Sequence, residues 1–227
     1  MDIKLHYTES GQGYPLILLH GNSESGKVFE HQMDYFANHY RVIAIDTRGH
    51  GQSPRGTTPF TIRQFADDLN DFMDEMKIEK AHILGFSDGG NIALIFAMKY
   101  PEKLSKLIVT GANLDPSGIK GSYQGFIDLS YKLVSWRAKR NEKARKTLEM
   151  LGLMVNDPNI KAEDLNTISA TTLVMAGTKD MVKEEHTTLI AKSIPNAKIA
   201  IIPGTHFIAV KQHANFNQVV DEFLSAR

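Results

Sequence analysis

Seven short runs of apolar, mostly β-branched residues punctuate the chain: Ile3–Thr8, Pro15–His20, Arg41–Asp46, Ala81–Phe86, Lys106–Gly111, Thr171–Ala176 and Ala197–Ile202. Runs such as Leu16-Ile17-Leu18-Leu19 and Val42-Ile43-Ala44-Ile45 do not alternate with polar residues. That pattern predicts strands covered on both faces of a parallel sheet, whereas the more polar Ile3–Thr8 reads as an edge. Between the runs the apolar spacing becomes helical. Thr61 and Gln64 form a capping-box pattern, and Ile62, Phe65, Ala66, Leu69, Met73 and Met76 fall on one stripe. Gly89–Tyr100 stops before Pro101, Glu184–Ser193 stops before Pro195, and Lys211–Leu224 reads as a last helix. Strands alternating with helices predict an α/β fold, a doubly wound, mostly parallel sheet of about seven strands.

One segment breaks the alternation. From Asn113 to Asn166 there is no strand pattern, only helix-favouring residues such as Ala138–Leu151 and a turn at Asn156-Asp157-Pro158. The chain therefore divides into a core, residues 1–112 and 167–227, and a helical cap insertion, residues 113–166. Because it leaves the sheet after one strand and returns at the next, the insertion is expected over the carboxyl edge, where open α/β sheets bind ligands.

Composition narrows the chemistry. With 227 residues, 42% hydrophobic and 23% charged, the chain suits one large domain with an insertion. Its 26 basic and 26 acidic side chains cancel, removing the broad attraction behind non-specific nucleic-acid or anionic-membrane binding, so neither partner is expected. Locally the insertion is basic: Lys132, Arg137, Lys139, Arg140, Lys143, Arg145 and Lys146 stand against Glu142 and Glu149, which either attracts anionic substrates or a surface or, as the commoner case, forms a solvated helix face. The absence of cysteine excludes disulfides, a thiolate nucleophile and cysteine-ligated metal. The first residues hold no apolar core of signal-peptide length, and no stretch approaches about 18 uninterrupted apolar residues, so a cytoplasmic protein is expected.

Two motifs compete. Gly21-Asn22-Ser23-Glu24-Ser25-Gly26-Lys27 follows a strand and matches the phosphate-binding pattern G-x-x-x-x-G-K, with Asp46 ending the next strand. Position 28 is Val, however, where a nucleotide hydrolase needs a Ser or Thr hydroxyl on magnesium. The second motif is Gly85-Phe86-Ser87-Asp88-Gly89, a G-x-S-x-G between a predicted strand and a predicted helix. A serine on so sharp a turn needs small neighbours, and the helix amino end favours negative charge developing beside it. A serine nucleophile also needs a base and an orienting acid, which in this architecture follow in the order serine, acid, histidine. Asp180 comes just after Thr171–Ala176, and His206 just after Ala197–Ile202. Asp115, beyond the preceding strand, is an alternative acid; of the histidines, only His206 follows the last strand.

With Ser87, Asp180 and His206 in that order, the chain resembles the α/β-hydrolase superfamily over nearly its whole length. His20-Gly21 resembles the oxyanion-loop motif, and Asp46-Thr47-Arg48-Gly49-His50-Gly51-Gln52-Ser53 resembles the D-x-R-G-x-G-x-S loop. The Ser-Asp-Gly-Gly elbow is similar to small serine hydrolases of the valacyclovir-hydrolase-like kind. The resemblance implies hydrolysis of a small or medium ester without metal or cofactor, with an oxyanion hole made by the backbone N–H groups of Asn22 and Asp88; lactone, thioester or C–C bond hydrolysis by the same triad, or a binding or signalling role with little turnover, are the alternatives. Ser87 stands where related dehalogenases and epoxide hydrolases carry aspartate. For the substrate pocket the candidates are Phe126, Trp136, Met154 and Phe207. Apolar residues of the insertion such as Phe126, Leu129, Tyr131, Leu133, Trp136, Met150, Leu153 and Met154 either wall an acyl pocket or pack the insertion onto the sheet, packing being the commoner fate.

Overall fold

The computed structural model describes residues 1–226. Seven strands form one sheet: β1 (Tyr7–Ser10), β2 (Tyr14–Leu19), β3 (Tyr40–Ile45), β4 (Ala81–Phe86), β5 (Leu104–Thr110), β6 (Thr171–Lys179) and β7 (Ala197–Thr205). Their order is β1-β3-β2-β4-β5-β6-β7, with β1 antiparallel to β3 and the other neighbours parallel. The helices are α1 (Glu30–Phe36), α2 (Ile62–Glu75), α3 (Asp88–Lys99), α4 (Gly121–Ala138), α5 (Glu142–Asn156), α6 (Glu184–Ser193), α7 (Ile208–Lys211) and α8 (His213–Ser225). Two apolar cores sandwich the sheet. One gathers Ile17, Ile43, Ile83 and Val109 with residues of α2, α3 and α6; the other gathers Leu16, Leu18, Leu84 and Ile108 with residues of α1, α7 and α8. Consecutive strand residues thus point into opposite cores, which is why the central runs are apolar without alternation.

Several boundaries differ from the sequence pattern. The first strand begins at Tyr7 rather than Ile3, because pairing starts where Tyr7 meets Ile45 and runs on through Glu9, which Arg41 grips at 2.9 Å. Ile3 and Leu5 instead pack into the core beside it. Helix formation across 138–151 is interrupted, since Ala138 closes α4 and the Asn141 side chain accepts the Ala144 N–H at 3.1 Å to start α5. The last helix is likewise split at Gln212. Finally, β6 and β7 extend three residues beyond the predicted Ala176 and Ile202, with a register shift between Gly177 and Lys179. Bulges at strand ends re-aim the residues that follow, and here those are Asp180 and His206.

The loop after β3 is locked from below. Arg48 is fully buried and donates to both oxygens of Asp68 on α2 at 2.7 Å and to Asp2 at 2.7 Å. Burial opposes its charge, but the two carboxylates more than offset that and raise its pKa. Asp46 accepts from the N–H groups of Gly26 at 2.7 Å and Gln52 at 2.9 Å, so the acid that would sit behind a phosphate loop is committed to holding backbone.

Candidate active site

Ser87 sits at the junction of β4 and α3 with φ 54°, in the left-handed region that L-residues rarely enter. Its backbone is tied on both sides: its N–H donates to the Thr110 carbonyl at 2.8 Å, and its carbonyl accepts from Gly90 at 2.8 Å and Asn91 at 3.1 Å. The flanking glycines are required by close approach. A Cβ on Gly89 would strike the Leu19 carbonyl of β2, and one on Gly85 would strike Gly89. The elbow therefore packs backbone against backbone, leaving the serine side chain free to project above the sheet.

The Lys179–Thr205 pairing sets the next two residues, Asp180 and His206, side by side although 26 positions separate them. His206 Nδ1 lies 2.7 Å from Asp180 Oδ1, and His206 Nε2 lies 3.0 Å from Ser87 Oγ. Asp180 is buried, which by itself pushes its carboxyl pKa up; hydrogen bonds from His206 and from the Val182 and Gly177 amides outweigh burial and hold it below the ordinary carboxylate value. An ionised carboxylate there fixes the ring with Nδ1–H toward Asp180, leaving Nε2 free to accept the serine proton. The alternative acid, Asp115, is elsewhere: its carboxylate accepts from Ser117 N at 2.7 Å, capping a short turn.

The Gly21–Gly26 loop lines the other side of Ser87. His20 accepts the Thr47 N–H on Nε2 at 3.0 Å and so donates Nδ1–H to the Gly21 carbonyl at 2.7 Å, pinning the loop. A Cβ on Gly21 would lie 3.1 Å from Ser87 Cβ, so the chain passes next to the serine immediately before Asn22. The Asp88 amide opens α3 and has no helical acceptor. The Asn22 side chain adds a tie invisible in sequence, donating to Asp88 Oδ2 and to the Met150 carbonyl of α5, both at 2.9 Å. Asp88 therefore bonds across to the loop rather than capping its own helix.

Two residues at the site escaped sequence reasoning. Glu24 turns inward, its carboxylate accepting the Gly21 N–H at 3.0 Å and its pKa raised by burial. Gly111 follows β5 with φ 63°, and a Cβ there would lie 2.6 Å from His206 Cε1. Only a glycine after a β-branched strand run signalled it. Gly111→Ala is expected to displace the imidazole and lower kcat by about 10², the usual cost of a misplacement of about 1 Å, with KM little changed. Steady-state kinetics on a short ester check this.

Ser87, Asp88, Asn91, Asn113, Asp157 and His206 share a cleft with Ile119, Ile127, Leu153, Met154 and Met181. Its free volume is about 30 Å³, room for only a few waters. Of the four sequence candidates for the pocket, Met154 lines this cleft. Phe207 follows His206 and lies edge-on to Phe86 at 5.8 Å, with its own ring exposed. Phe126 and Trp136 point away, because residues 126, 129, 133 and 136 fall on the helical stripe opposite Ile127. They neither wall the cleft nor pack α4 onto the core.

Burial pushes the Asp88 carboxyl up to about 6 against its ordinary 3.8, despite the hydrogen bond from Asn22. Below pH 3.8 the folded and unfolded chains both hold this proton. As pH rises the unfolded chain loses it first, so the folded state is penalised progressively up to about pH 6 and fully above it. Asp88→Asn is therefore expected to gain up to about 3 kcal/mol more stability at pH 8 than at pH 4, at 1.36 kcal/mol per unit. Thermal denaturation of both proteins at the two pH values reads that difference directly.

Residues 14–131 match the family model described as alpha/beta hydrolase fold. The chain belongs to the α/β-hydrolase family. Among curated proteins it is 31% identical to the serine hydrolase BPHL of Mus musculus, over 98% of this chain and 83% of that one. It is 30% identical to the putative carbamate hydrolase RutD of Caulobacter sp. (strain K31), over 98% and 94%. Among solved structures, Est816, described as an N-acyl homoserine lactone degrading enzyme, superposes with TM-score 0.79 at 26% identity, covering 97% of each chain. The phosphate-loop lookalike is the loop that passes beside Ser87.

Proposed function

We propose that this hydrolase cleaves a small or medium carboxylic ester through an acyl-enzyme intermediate on Ser87. The observation that carries the reading is the line of contacts from Ser87 Oγ to His206 Nε2 at 3.0 Å and from His206 Nδ1 to Asp180 at 2.7 Å. His206 takes the hydroxyl proton as Oγ attacks the carbonyl, and Asp180 stabilises the imidazolium that forms. The Asn22 and Asp88 amides receive the oxyanion, each such donor contributing about 10²–10³ in rate. His206 then protonates the departing alkoxide, the C–O bond breaks, and water deprotonated by the same ring releases the acid. This chemistry runs on the chain's own groups.

In this reading α4 and α5 serve as the cap. The cleft beneath them has a free volume of only about 30 Å³, and opening of α5 at the Asn22–Met150 contact is the expected route for substrate. A lactone, the same acyl bond closed into a ring, is the second substrate class, favoured by the likeness to Est816. The test is labelling with a fluorophosphonate. The wild type is expected to label and Ser87→Ala to remain unlabelled; a wild type that resists the probe and hydrolyses neither short p-nitrophenyl esters nor lactones would sink the proposal.

A further inference from the structure

α4 carries two apolar stripes, with Gln124, Asp128, Lys132 and Ser135 forming a polar one between them. One stripe turns Ile127 and Ala138 into the protein, while the opposite stripe, Phe126, Leu129, Leu133 and Trp136, is 73, 56, 59 and 76% exposed. At about 150–250 Å² for a large aromatic side chain, the four exposures come to several hundred Å², the size at which a contiguous apolar patch marks an interaction surface.

The patch adjoins concentrated positive charge. Where α4 turns into α5, a groove is lined by Trp136, Arg137, Lys139, Arg140, Asn141 and Lys143. Among the described residues none of these four cations joins an ion pair. Glu149, one of two acids on α5, is already held by Arg55 at 2.7 Å. The chain's zero net charge does not cancel this site, since charges beyond about 8 Å are screened at physiological salt.

We propose that the outer face of α4, with the adjoining turn into α5, docks this protein onto an anionic lipid surface. Aromatic and leucine side chains beside Lys and Arg suit the headgroup boundary, where the rings enter the acyl layer and the cations meet lipid phosphates. The protein would rest on the surface rather than cross it, for no described helix is long and apolar enough to span a membrane. A second copy of the chain fits less well. A two-fold contact would bring the same unpaired cations together. The inference is independent of the chemistry assigned to Ser87.

Trp136 is the chain's one tryptophan, so its fluorescence reports on this face alone. Titrating the full chain with vesicles of phosphatidylcholine plus phosphatidylglycerol is expected to shift the emission to the blue and sediment the protein with the vesicles. Phosphatidylcholine alone should do neither, and high salt should reverse the effect. Arg137→Glu/Arg140→Glu/Lys143→Glu should weaken vesicle binding by at least about 10²-fold, at roughly fivefold for each cation removed, while hydrolysis of a soluble short ester and Tm stay unchanged. The proposal is overturned if anionic vesicles leave the emission unmoved or if the triple variant binds them equally well. A blue shift that follows protein concentration without vesicles would assign the face to a second copy instead.

Discussion

Ser87→Ala is expected to lower kcat on a short p-nitrophenyl ester by about 10⁶ while leaving the fold intact. The size follows from how the group acts: without Oγ there is no acyl-enzyme, and His206 and Asp180 lose the atom they activate. Residual turnover of about 10³ over water should survive from the oxyanion amides and binding. Because alanine keeps the Cβ and faces the same φ of 54°, backbone strain is unchanged, and Tm should move by no more than a degree or two. His206→Ala should lose a comparable factor, and the double variant should be no slower than either single one, since the pair works as a unit. Retention of activity within tenfold in Ser87→Ala would remove the serine from the mechanism.

The largest stability effect is expected away from the chemistry, at Asp68. Asp68→Ala leaves the fully buried Arg48 guanidinium with only the more exposed Asp2 carboxylate, and breaking a buried pair typically costs about 3–5 kcal/mol. At roughly 2–4 °C per kcal/mol for a chain of this size, Tm should fall by about 10 °C. The loss is one of uncompensated charge rather than of packing. Arg48→Met/Asp68→Leu, which removes both charges and keeps apolar volume, should therefore recover much of it. If Asp68→Ala unfolds like the wild type in urea and heat, the pair is not what anchors the loop. The loop carries Thr47, whose N–H fixes His20 and through it the Gly21 carbonyl, so the single variant should also lose activity before it unfolds.

Much of the framework was legible in order. β4 was read to the residue, and β2 and β3 to within one, because strands sandwiched between two cores are apolar at every position. Ser87 was legible because G-x-S-x-G records a steric fact, the pressing of the elbow against Leu19. Other features are not local. Leu5 looks like a strand residue, yet pairing with β3 begins only at Tyr7. Glu24 reads as one polar loop residue among several until the loop folds back on its own Gly21 amide.

The sequence alone determined the class of fold, the serine at the elbow, and the order in which an acid and a histidine follow it, for each depends on short-range periodicity or a tight turn. The tertiary structure decided which acid meets His206. Asp115 and Asp180 both follow strands, and the distinction comes from the shifted β6–β7 register that lays Lys179 beside Thr205. It also decided the sides of α4. Two apolar stripes share one helix, and nothing in their spacing says which will find a neighbour; α5 and the cleft took Ile127, leaving Phe126, Leu129, Leu133 and Trp136 to the outside. Burial is a property of what packs nearby, and that is set by the whole chain rather than by any segment of it.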